Sequence, residues 1–175
     1  MREPRKAPVV LKTKWIKHPS FKQITPNNRV DLIKEYGKEL QLLNLHQDRA
    51  WVVDSPGEWI VWIKGEGALH FYLKRGAITD FNSVPPILES FEKKDDRRSY
   101  MAALSHDILY ATHIFSKIFA DELFYAIMRN EGTPYFQAKY KYWAVKYFGR
   151  HAWDNQETDY EIRWFNILWL PTPPP

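Results

Sequence analysis

Apolar and polar positions follow two regimes along this chain. Between Trp51 and Lys74 the apolar residues fall in short β-branched and aromatic runs, Trp51–Val53, Trp59–Lys64 and Leu69–Lys74, separated by Asp-Ser-Pro-Gly and Gly-Glu-Gly. Runs of that length bounded by turn residues predict a small antiparallel β-meander. After the loop Gly76–Pro86 the spacing becomes helical, and three helices follow. The first, about 97–112, is apolar almost all round and is expected at the centre. The second starts at Ser116, an N-cap residue, and stops before Gly132; the third has Thr133 as N-cap, Pro134 at the first helical position and Gly149 just past its end. In that third helix Phe136, Tyr140, Trp143 and Tyr147 form one aromatic stripe, which the helical period reads as core. An earlier helix is expected over 31–45 from Ile33, Tyr36, Leu40 and Leu43, weakened by Gly37.

The fold class that follows is α+β: a small antiparallel meander, then a three-helix core, with extended N- and C-terminal arms. Residues 1–28 read as an extended basic arm, because Pro4, Pro8, Pro19 and Pro26 discourage long helices. Residues 29–150 read as one domain, and 151–175 as an aromatic tail (Trp164, Phe165, Ile167, Leu168, Trp169, Leu170) ending in Pro-Thr-Pro-Pro-Pro. The 175 residues suffice for a genuine core. The net charge of +4 hides an asymmetry, since eight Lys and Arg but only Glu3 lie in the first thirty residues and the remainder is mildly acidic. Such arms touch nucleic acid, anionic surfaces or acidic subunits, or are simply solvated. The absence of cysteine excludes disulfides, thiolate metal sites and cysteine nucleophiles. No apolar run approaches the ~20 residues that span a bilayer, and the charged start lacks the apolar stretch of a secretory signal, so synthesis and retention in the cytoplasm are expected.

Ionisable groups gather in the apolar first helix. His106 and Asp107 are adjacent, Tyr110 lies one turn later, His113 continues the stripe, and Asp121 follows near the start of the next helix. Neighbouring helix positions diverge by roughly 100°, so His106 and Asp107 face different partners. A short connection should bring Asp121 level with His106 in a helical hairpin. Ionised groups in such a setting are costly unless paired or used. A buried His–Asp pair holding two helices in register is the plain alternative to a catalytic one.

The ordered motifs Thr79-Asp80-x-x-Ser83-x-Pro85, His106-Asp107-x-Leu109-Tyr110, Ala120-Asp121-x-x-Phe124 and Tyr142-x-Ala144-Val145…Phe148-Gly149 resemble an uncharacterised family of small proteins found mainly in bacteriophages and prophages. The resemblance covers roughly residues 65–150. It departs from the family at Ala77, where an aromatic is usual, and at Pro86, where a basic residue is usual. The helical pair also resembles the His–Asp helices of phospholipase A2. That likeness implies His106 as general base, Asp121 as the group fixing its tautomer, Tyr110 beside them, and Asp107 as a calcium ligand. The glycine-rich calcium loop of that superfamily is missing here; Asp80 and Asn82 could supply oxygen ligands for a hard cation instead.

Taken together, these features lead to the expectation of a virion-associated structural or assembly protein, in a tail, baseplate or portal-proximal complex. It would be made in the host cytoplasm and bind other phage structural proteins through its terminal arms. The alternative is a calcium-dependent, phospholipase A2-like or envelope hydrolase using His106 and Asp121. Nucleic-acid binding through the basic arm is the third reading; no recognition motif supports it.

Overall fold

Both terminal stretches supply strands to the sheets. The computed structural model describes residues 7–25, 27–36, 51–79, 99–154 and 165–170. The prolines of the basic stretch punctuate strands: Pro8 precedes β1 (Val10–Lys17), Pro19 separates it from β2 (Ser20–Gln23), and α1 (Arg29–Tyr36) follows. The continuation of the expected first helix over Leu40 and Leu43 lies outside the described residues.

Pro56 then parts the β-rich stretch between two sheets. β3 (Trp51–Ser55) pairs antiparallel with β2 and with the short β6 (Ile78–Thr79). β4 (Gly57–Ile63) and β5 (Gly67–Leu73) form a hairpin flanked by β1 and by β7 (Phe165–Leu170), in the order β1-β4-β5-β7. The three expected strands are therefore present and antiparallel, but β3 is not the neighbour of β4. Proline donates no backbone hydrogen bond. A side chain at Gly57 would meet Pro19 at 2.9 Å, so glycine lets the chain turn closely against the β1–β2 corner.

Alternation fixes which face of the larger sheet is covered. Trp59, Val61 and Ile63 on β4, with Leu69, Phe71 and Leu73 on β5, are all buried. They join one core with α2 (Tyr100–Thr112), α3 (Lys117–Asn130) and α4 (Tyr135–Phe148). Helix α2 is buried on nearly every side, as its sequence predicts, and the Trp59 indole donates to Ser105 Oγ at 2.8 Å. α3 lies along β1, where Thr13 donates to Asn130 Oδ1 at 3.1 Å. The short α5 (Arg150–Asp154) follows α4. The chain is thus an α+β protein.

Two expectations are corrected here. Ser116 caps α3 through Phe119 N–H at 3.2 Å, as read, but α4 begins one residue late and Thr133 does not cap it. The Thr133 hydroxyl is buried and finds no hydrogen-bond partner among the described residues. The aromatic stripe of α4 is not core: the helix turns Ala138, Lys141, Ala144 and Val145 inward and leaves Phe136, Trp143 and Tyr147 exposed. Small residues let α4 approach α3 closely. The tail residues Ile167 and Trp169 pack on the chain's own core through β7. Trp164 and residues 171–175 lie outside the described residues.

Candidate functional site

Two helices joined by a short turn build the polar cluster. His113 ends α2 in the left-handed region at φ 48°, reversing the chain so that α3 can start at Lys117. His106 and Tyr110 sit four apart on α2, and Lys117 and Asp121 four apart on α3, so each pair shares one helix face. The other three converge on the Asp121 carboxylate. Asp121 Oδ1 accepts from His106 Nε2 at 3.0 Å and from the Tyr110 hydroxyl at 2.6 Å; Oδ2 accepts from Lys117 Nζ at 2.6 Å. Lys117 donates again to the Val145 carbonyl at 2.9 Å. Asp121 and Lys117 thereby tie together α2, α3 and the end of α4.

Burial and charge set the protonation states. His106 is 1 % exposed. Burial pushes its pKa below the ordinary value, against the opposing pull of Asp121, so the ring is neutral and donates from Nε2. Burial also works against the Asp121 carboxylate, but the bonds from His106, Lys117 and Tyr110 outweigh it and hold the group ionised. The Tyr110 phenol is raised by burial and then by its bond to Asp121, which keeps its proton.

Aromatic rings close the cluster. His106 lies 4.0 Å from the Tyr110 ring and 5.0 Å from Phe124, and Trp153 of α5 stands edge-on to Tyr110 at 5.0 Å. His113, the last member of the expected stripe, lies 4.1 Å from the Trp153 ring at a tilt of 32°. Asp107 is half-buried on α2, and its charge adds to the raising of the Tyr110 phenol. Asp80 and Asn82, its expected partners for calcium, lie outside the described residues. Among the described residues no three His, Asp or Glu side chains are grouped to hold a metal ion.

Lys117 belongs to no motif, and its spacing of four from Asp121 is the sequence signal for its place here. A second polar trio lies on the larger sheet. His70 Nε2 lies 2.7 Å from Glu58 Oε1, and the Tyr72 hydroxyl is 2.9 Å from His70 Nδ1. The register pairs Glu58 with Tyr72, and His70 lies two residues away on the same sheet face.

A family model for proteins of unknown function, DUF1353, matches residues 58–145, half the chain. The chain belongs to the DUF1353 family. No curated protein and no solved structure matches it. The DUF1353 region contains the β4–β5 hairpin, α2, α3 and nearly all of α4, and so every residue of the Asp121 cluster. β1, β2, β7 and Trp153 fall outside it.

Proposed function

We propose that this DUF1353 protein is a virion-associated structural or assembly component of a bacteriophage, made in the host cytoplasm and contacting other phage proteins. The observation that carries this reading is the closure of the Asp121 cluster. Its imidazole is 1 % exposed, and both carboxylate oxygens are engaged from within the chain. A group so enclosed holds helices together; a general base needs access to water and substrate. The terminal segments add support, because among the described residues β1 and β7 are the outer strands of the larger sheet. Outer strands offer unpaired backbone groups to which a neighbour can add a strand.

Mass spectrometry of purified particles, with copy number, tests this. A copy number matching a particle symmetry is expected, and absence from the particle rejects the proposal.

One observation favours the hydrolase alternative. With Nε2 donated to Asp121, the neutral His106 ring carries its lone pair on Nδ1, the arrangement a carboxylate-oriented base requires. In that reading His106 takes a proton from water, Asp121 and Tyr110 hold the imidazole, and Asp107 contributes to a calcium site. Ester hydrolysis by the purified chain that calcium stimulates, and that His106→Asn and Asp107→Asn each abolish, would establish it. Equal rates with and without calcium and in both variants would remove it.

A further inference from the structure

The outward stripe of α4 has an unusual make-up. Phe136 is 85 % exposed, Tyr147 67 %, Phe148 65 % and Trp143 50 %. Phe136, Lys139, Trp143, Lys146 and Tyr147 recur at helical spacing, so rings and ammonium groups share one face. Lys139 Nζ sits 5.4 Å from the Tyr142 ring and 5.8 Å from Trp143; Lys146 Nζ sits 5.5 Å from Tyr142 and 5.9 Å from Tyr147. Between Gly132 and Trp153 there is no Asp or Glu. The flanking charges are mixed only at the margins. Glu122 lines the groove beside Lys139, Glu131 precedes the helix, Arg150 pairs with Asp154 at 2.7 Å, and Lys141 turns inward to Ser99.

We propose that this face of α4 binds the anionic headgroup layer of a lipid bilayer. Three considerations select that occupant. An acid-free face of lysines complements a negatively charged surface, and aromatic rings of this kind settle at headgroup depth. Protein interfaces deplete lysine, whereas lysine stems reach from an apolar layer to its charged edge. Single-stranded nucleic acid needs open ring faces for base stacking, but here ammonium groups already lie over Tyr142, Trp143 and Tyr147. The contact is adsorption to the surface, since among the described residues no helix is long and apolar enough to cross a membrane.

Flotation of the full chain with vesicles tests the proposal. One set contains phosphatidylcholine alone, the other equal parts phosphatidylcholine and phosphatidylglycerol. Binding to the second set only, reversed by molar salt, is expected. Brominated lipid should quench fluorescence of the wild-type chain more than that of Trp143→Phe. The double variant Phe136→Ser/Tyr147→Ser should lower partitioning about tenfold or more with an unchanged melting temperature. Lys139→Glu/Lys146→Glu should abolish the preference for the anionic set. Equal or absent binding of the wild type to the two vesicle sets overturns the proposal, as does quenching that ignores Trp143. Retention on single-stranded oligothymidylate in place of anionic vesicles also overturns it. The wild-type measurements decide the matter even if a variant fails to fold.

Discussion

The Tyr110 hydroxyl occupies the space that a side chain at position 149 would need. A Cβ built on Gly149 would lie 2.7 Å from that oxygen and would also run into the Val145 carbonyl oxygen. Gly149→Ala should therefore destabilise the fold by about 1–3 kcal/mol, the usual cost of overpacking. Thermal unfolding measures it. In the Tyr110→Phe background the same substitution should cost less, because one of the two obstructing oxygens is gone. An equal cost in both backgrounds would place the strain at Val145 alone.

Lys117 and Asp121 form an enclosed ion pair, with side chains 14 % and 4 % exposed. Removing one partner strands the other. Asp121→Asn or Lys117→Met is expected to cost about 3–5 kcal/mol in denaturant unfolding. The double variant should cost clearly less than the two single losses added together. Additivity would show that the pair is not coupled.

Acid should weaken the fold in two stages. The pKa of His106 is lowered in the folded chain from its ordinary 6.5, so the unfolded chain binds more protons as pH drops below that value. Its contribution is present above pH 6.5 and is lost as pH falls through the lower folded value, with a slope of at most about 1.4 kcal/mol per pH unit. Asp121 is also lowered, from 3.8, and acts with the same sign in more acidic solution. His106→Gln keeps a donor but does not titrate there, and should flatten the first stage of a melting-temperature profile. An unchanged profile would assign that stage to another group.

Ser105→Ala should leave the Trp59 indole N–H without its acceptor, in a side chain that is fully buried. The expected loss is about 1–3 kcal/mol. Trp59→Phe/Ser105→Ala should recover part of it, since both polar groups are then gone. Denaturant unfolding of the three variants decides this.

The parts of this architecture that were legible in the sequence are those governed by local rules. His106 meets Asp121 because a helix, a four-residue connection and a second helix leave little choice of register, and Ser116 signals the second start. Lys117 was harder to read because a lysine at a helix start is ordinarily solvated. Here the Asp121 carboxylate and the Val145 carbonyl together make it an internal donor. For α4 the helical period shows that one face is aromatic, but not which face meets the core. Ala138, Ala144 and Val145 won that contest because they allow closer packing than rings do. The pairing of β1 with β4 and of β7 with β5 joins segments far apart in sequence, and no local pattern announces such partners.

The two outer strands have a practical corollary for anyone working with DUF1353 sequences. A fragment cut to residues 58–145 would keep the β4–β5 hairpin but lose the strand on each side of it, stripping the cover from both flanks. Such a fragment should polymerise by borrowing strands from its copies, and its insolubility would say nothing about the family's behaviour in the cell.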